Sequence, residues 1–302
     1  MQFLAAVQTN RSNLNLGYSM KLRFLSTLVL SLILAACGGG GSGGTSGAND
    51  TANSIADTSS PSYTAGLKMA AEINAASAFM LSAHDLVMFA GQTGACPQGG
   101  SLNYATPTQT LTQCRRNYPQ DGAYTGTYSG TTNASGLSVT AINGVQVFDF
   151  SNLTSLQYTL ASGSFSGAST EVSATTDETS ITSGTVAVNV GSSTYTLSQF
   201  NSKVNNNGSS LNITPVNTAA KLLQVSKGSN TYDVTLNQVV QITGNNFPNA
   251  GSISVSFTTT ACTPMVLTYL PSNRFNLSCG GHSITKGWED ADVVAARNAA
   301  KQ

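Results

Sequence analysis

The stretch TVAVNVGSSTYTLS, residues 185–198, decides how this chain is built. Val186, Val188 and Val190 alternate with small or polar residues, Gly191-Ser192 breaks the run, and Tyr195 and Leu197 resume it. An alternation of period two puts one apolar face on a strand, and a Gly-Ser pair between two such runs predicts a tight β-hairpin. The pattern recurs in SVTAINGVQVFDFS (138–151) and in LLQVSKGSNTYDVT (222–235). In all three units an aromatic residue, Phe148, Tyr195 or Tyr232, follows the glycine by four positions. The aromatics are 47 and 37 residues apart, too uneven for a solenoid or a propeller. Repeated hairpins of one large antiparallel sheet are therefore expected, with Gly144, Gly191 and Gly228 in turns.

From about Asp121 to Phe257 the text stays β-like, with short alternating runs separated by Asn-Gly and Gly-Ser punctuation. Composition agrees. Ser and Thr make up a quarter of the 302 residues, 29 are Gly, and only 9% are charged. So few charges argue against a coiled coil, and 13 Lys+Arg against 13 Asp+Glu give no basic footprint for nucleic acid.

Two segments depart from this pattern. In TAGLKMAAEINAASAFMLSAHDLVMFA (64–90), Met69, Ile73, Ala76, Met80, Ala83 and Val87 recur at spacings of four and three, one face of an α-helix that Gly91 stops. Leu81, His84 and Met88 widen the stripe, which suits packing on a sheet, with His84 at the edge of the contact. Trp288 to Gln302 also reads as helical, with Glu289, Asp290 and Asp292 at its start and Arg297 and Lys301 at its end, as the helix dipole favours. The expected fold is mainly β: a large antiparallel sheet of repeated hairpins, an N-terminal amphipathic helix packed on it and a short C-terminal helix.

Met20 to Cys37, MKLRFLSTLVLSLILAAC, is of another kind. Lys21 and Arg23 precede an apolar run from Leu25 to Leu34, too short to span a bilayer and suited to a signal-peptide core. The run ends in Leu34-Ala35-Ala36-Cys37 followed by Gly38. This resembles the lipobox of bacterial lipoproteins. The resemblance implies that Cys37 receives a diacylglycerol, becomes the first residue of the mature chain and carries further acyl groups such as palmitate. Gly38, where family members retained in the inner membrane commonly have Asp, implies delivery to the outer membrane of a Gram-negative bacterium, facing the periplasm or the cell surface. Two or three acyl chains make such an anchor effectively permanent. Residues 1–19 then read as a leader ahead of the true start at Met20, and 20–36 as the signal peptide. Residues 37–63 form the lipidated Cys and a Gly/Ser-rich tether, and 64–302 a single β-rich domain. A tether of about 25 such residues spans roughly 25–30 Å as a coil. The mature chain carries ten basic and thirteen acidic residues.

Cys96, Cys114, Cys262 and Cys279 remain, an even number in an exported chain, with three possible pairings. The local pairs Cys96–Cys114 and Cys262–Cys279 are favoured, because each flanks turn residues and VLTYL-PSNR-FNLS (266–278) reads as a hairpin that brings its ends together. Each such closure is worth about 3 kcal/mol in the chain-entropy account. Nothing in the sequence has the spacing of a zinc or calcium site, so no metal and no cofactor is expected.

No catalytic residue emerges either. His84 and His282 are the only imidazoles, the first on the helix and the second in a Cys279-Gly-Gly-His turn, and no nucleophile elbow is present. Asp149 and Asp233 share one slot of the repeat on the face opposite the aromatic, and Asp177-Glu178 reads as a polar loop. The expectation is a non-enzymatic, outer-membrane-anchored lipoprotein. Its disulfide-stapled module would serve a structural or binding, adhesin-like role toward a glycan or protein. The alternatives are a carrier of a lipophilic ligand between helix and sheet, with Met69, Met80 and Met88 facing it, and a glycan hydrolase using dispersed carboxylates.

Overall fold

The computed structural model describes residues 54–115, 123–133, 136–148, 157–173, 176–207, 209–243, 247–257 and 262–302. Cys37 with its lipobox and tether, and Asp149, lie outside the described residues.

The chain opens with helix α1 (Pro61–Phe89). Ser60 is its N-cap, accepting a hydrogen bond from the backbone N–H of Tyr63 at 3.0 Å, and Pro61 occupies the first turn, where its missing N–H costs nothing. At the other end Ala90 is already extended, and Gly91 at φ 76° is the third residue of a turn closed by the Gln92 N–H on the Phe89 carbonyl at 3.2 Å. Residues 54–63, assigned to the tether by their composition, are thus already structured: Ile55 is buried and Pro61–Tyr63 begin the helix.

Among the described residues sixteen strands follow: β1 (Gly94–Ala95), β2 (Ser101–Ala105), β3 (Thr108–Cys114), β4 (Ala123–Asn133), β5 (Gly136–Phe148), β6 (Gln157–Ser173), β7 (Thr176–Val190), β8 (Ser193–Ser198), β9 (Ser202–Asn206), β10 (Ser210–Pro215), β11 (Lys221–Lys227), β12 (Asn230–Thr243), β13 (Ala250–Phe257), β14 (Met265–Leu270), β15 (Arg274–Cys279) and β16 (His282–Gly287), before helix α2 (Ala291–Ala300). They form one antiparallel sheet whose spatial order follows the sequence from β1 to β8 and from β11 to β16. Between the long strands β7 and β12 the sheet runs in two tiers. Residues 185–190 of β7 pair with β8, which pairs with β11, while residues 177–181 pair with β9, which pairs with β10. The two tiers meet again on β12. The fold class read from the sequence is the one observed.

Two of the three repeat units are hairpins. β7–β8 turns at Gly191-Ser192 and β11–β12 at Gly228-Ser229, each glycine at φ 57°, and Val225 and Lys227 lie opposite Leu197 and Tyr195. The first unit differs: Gly144 sits inside β5 at φ 72°, opposite a register shift between Thr125 and Thr127 of β4. The chain does not reverse there. A left-handed glycine serves a β-bulge as well as a turn, and β4 is long enough to pair with β5 on both sides of it. Asp177 and Glu178, expected in a loop, lie in β7 opposite Asn206 and Asn205.

The helix is buried on more sides than its apolar stripe required. Gly66 lies against Ile55, Met265 and Leu277; Tyr124 and Tyr128 of β4, Tyr158 of β6 and Tyr232 of β12 also reach α1. Strands from β4 to β15 therefore curl around it. Its polar residues are buried with partners: the Tyr124 hydroxyl donates to Asp85 at 2.5 Å, Ser82 bonds Tyr158, and the Tyr128 hydroxyl donates to the Leu86 carbonyl at 2.7 Å. His84 is only 1% exposed, inside the contact rather than at its edge, with its ring nitrogens 2.8 Å from Thr179 Oγ1 and 2.9 Å from Ser202 Oγ.

Disulfides join Cys96 to Cys114 and Cys262 to Cys279, with Cα separations of 5.4 and 6.0 Å. The first ties the segment after α1 to the end of β3, and the second closes the β14–β15 hairpin. Among the described residues no helix is long and apolar enough to cross a membrane.

Ile73 is 2% exposed in the middle of α1. Ile73→Asp places an unpaired carboxylate there and is expected to destabilise the fold by about 3–5 kcal/mol, lowering Tm by on the order of 10 °C in a thermal melt.

Candidate functional site

Two equivalent hairpin tips and the C-terminal helix enclose a cleft. The β7–β8 and β11–β12 tips lie side by side because β8 and β11 pair, and α2 packs against α1 and across the tips. The end of α2 is fixed by donors from these tips. The Tyr195 hydroxyl donates to the Ala300 carbonyl at 2.6 Å, Lys227 Nζ to the same carbonyl at 2.9 Å, and Ser192 Oγ to the Gln302 carbonyl at 2.7 Å. A cation and the Tyr195 hydroxyl thus meet a carbonyl that helix geometry leaves without a partner, and Ser192 holds the residue after the cap. A Cβ on Gly191 would fall 2.5 Å from the Lys301 carbonyl oxygen, so only glycine allows this approach.

The cleft has a volume of about 950 Å³, and Leu67, Ala296 and Ala299 supply its apolar wall. At its base lies Glu72 of α1, 0% exposed. Tyr232 donates its hydroxyl to Glu72 Oε2 at 2.5 Å, while Oε1 has no hydrogen-bond donor and faces Lys227 Nζ at 3.6 Å. Burial pushes the phenols of Tyr195 and Tyr232 well up, and the Glu72 charge adds to this, so both stay protonated donors. Lys227 also lies over the Tyr195 ring, 5.2 Å from its centre. Of the two equivalent aromatics, Tyr232 bonds this acid and Tyr195 bonds the end of α2.

A second acid on the cleft is held in the same manner. Asp292, at the start of α2, accepts from Lys286 Nζ at 2.8 Å and from the Tyr63 hydroxyl, and Lys286 lies 5.3 Å above the Tyr63 ring. The Lys286 hydrogen bond, then that of Tyr63, keeps the Asp292 carboxyl below the usual carboxylate range, and Asp292 in turn raises Lys286. Lys68, one helical turn before Glu72, is exposed at the cleft and has no ion pair among the described residues.

The residues singled out from the sequence lie elsewhere. Asp233 is bonded to Lys221 at 2.5 Å and Gln224 at 2.9 Å on a face where its side chain is 43% exposed. His84 is enclosed among hydroxyls, and His282 is exposed at the start of β16. The space beside Ile73 and Met80, where a lipophilic ligand was considered, is about 20 Å³. No group of acids, His and Cys among the described residues is arranged to hold a metal. Sequence reasoning passed over Glu72, although it is the only Glu in a helix otherwise dominated by Ala, Met and Ile.

Two predictions test this construction. Asp292 has a lowered pKa, so its contribution is present above the ordinary value of 3.8 and is lost as pH falls through the lower folded value. Lys286, being raised, loses its contribution only above about 10.5. Asp292→Asn should therefore lower stability at pH 7 by up to about 1 kcal/mol and flatten the acid limb below pH 4 in urea titrations. Gly228→Ala, with open space around the new methyl, should cost about 1 kcal/mol for its left-handed backbone, and Gly191→Ala clearly more, because α2 must shift.

No family model, no curated protein and no solved structure matches the chain.

Proposed function

We propose that this protein is a lipid-anchored binding module of the outer membrane, held through acyl chains on Cys37 and taking a small ligand in the cleft above Glu72. The observation that carries the binding part is the cleft itself: about 950 Å³, an apolar wall, and a few convergent polar groups around a buried carboxylate. That is the usual make-up of a small-molecule site. The anchoring part is supported by the lipobox Leu34-Ala35-Ala36-Cys37 and by the glycine-rich run after it.

The presence of two carboxylates, Glu72 and Asp292, on one cleft is the observation that favours a second reading, glycan cleavage. A general acid for that chemistry needs a raised pKa, whereas Asp292 is held low by Lys286 and Tyr63. Glu72 is engaged by Tyr232 and Lys227. Acids held in this way suit recognition better than proton transfer.

Expressed in a Gram-negative host, the protein should incorporate a palmitate analogue and fractionate with outer membranes, and mass spectrometry should find an acylated Cys37 at the mature N-terminus. Cys37→Ser should abolish both labelling and processing. An unmodified N-terminus at another residue would defeat the anchoring reading.

A further inference from the structure

We infer that the cleft takes a small zwitterion with an aliphatic body, its ammonium group on Glu72 and its anionic group on Lys68. The inference rests on reading the cleft as a ligand site and specifies what that site selects.

Four observations converge. Glu72 is fully buried, yet its Oε1 accepts no hydrogen bond, while Tyr232 occupies Oε2. Lys227 is ion-paired with Oε1 at 3.6 Å but gives that oxygen no hydrogen bond, its N–H groups going to the Ala300 and Ala299 carbonyls. A buried acceptor without a donor costs free energy that a ligand N–H restores, and a charge-assisted bond restores more. Lys68 lies four residues before Glu72, so both project from the same face of α1, and Lys68 has no ion pair among the described residues. The other two charges on the cleft are committed: Asp292 to Lys286 and Tyr63, Lys227 to the end of α2 and to its ion pair with Glu72. What remains open is one buried acceptor and one exposed cation about a helical turn apart. Between them and α2 runs the apolar wall of Leu67, Ala296 and Ala299. A molecule with ammonium and anion on neighbouring atoms and a hydrocarbon body fills all three requirements. A lone amine leaves Lys68 unused, a lone carboxylate meets Glu72 with like charge, and a sugar uses neither charge fully.

The same chemistry has two sources, a free aliphatic α-amino acid and the headgroup of an aminophospholipid, and the volume accommodates either. The test is calorimetric titration of the full chain in a polyoxyethylene detergent with L-leucine and, separately, with dihexanoyl-phosphatidylethanolamine. Isoamylamine, 4-methylpentanoate and maltose serve as single-charge and neutral comparisons. One of the two zwitterions should bind 1:1, and each comparison molecule at least about tenfold more weakly. Saturation by leucine identifies the free amino acid as the source, and saturation by the short lipid alone identifies the headgroup. Lys68→Ala, at an exposed position, should weaken binding by about tenfold with Tm unchanged, and Glu72→Gln by at least as much. If Glu72→Gln fails to fold, Lys68→Ala and the single-charge molecules decide the matter. Absence of binding by both zwitterions, equal binding of isoamylamine, or indifference to Lys68→Ala overturns the inference. Saturation by maltose in competition with nothing else overturns it as well, while leaving the cleft a ligand site.

Discussion

A helix buried on most of its sides needs partners for the polar side chains it carries inward, and this constraint shapes the whole molecule. α1 carries Glu72, Asn74, Ser82, His84 and Asp85 into the interior. A buried polar group without a partner costs on the order of 1–3 kcal/mol, so strands cannot close around the helix in an arbitrary register. They close where Tyr124 meets Asp85, Tyr158 meets Ser82, Thr179 and Ser202 meet the two nitrogens of His84, and Tyr232 meets Glu72. These partners come from β4, β6, β7, β9 and β12, so the helix fixes the register of strands far apart in the sequence. Since a one-residue slip turns every side chain to the other face, a misregistered sheet would lose apolar contacts and these hydrogen bonds together.

The two-tiered middle of the sheet follows from the same constraint. β7 and β12 are long enough to pair with two short strands each. In the first tier the Tyr195 and Tyr232 hairpins reach Glu72 and the end of α2; in the second, β9 brings Ser202 to His84. Neither tier alone answers both polar groups of the helix. The cleft arises where the first tier ends, because hairpin tips do not fill the volume that continuous strands would, and α2 covers only part of it.

How much of this was legible in the sequence follows from the range of the interactions. α1, the Gly191 and Gly228 hairpins, the β14–β15 hairpin and the local disulfides depend on residues close together in the chain, and periodicity and turn chemistry reveal them. Gly144 could not be read so directly. A glycine in a left-handed conformation fits a turn or a bulge, and the choice rests on whether a long partner strand, here β4, runs past it. The structured stretch at 54–60 resembles the tether in composition, yet Ile55 finds a pocket beside Gly66 that no local rule announces. The cleft was the least legible part. Glu72 meets Lys227 and Tyr232 across more than 150 residues, and Asp292 meets Tyr63 across 229. The repeat did mark Tyr195 and Tyr232 as equivalent, and that equivalence places both beside one acid.

The cleft lies beside the start of α1. Thr58, Tyr63 and Thr64 line it, and a smaller space of about 420 Å³ beside Ser59 and Pro61 shares Lys68 and Asn230 with it. The chain therefore enters the folded unit at the rim of the cleft, and the first turn of α1 is one of its walls. Ser60 caps that turn and bonds back to the Ser54 carbonyl at 2.6 Å, so one side chain ties the segment from residue 54 to the first turn of the helix that walls the cleft.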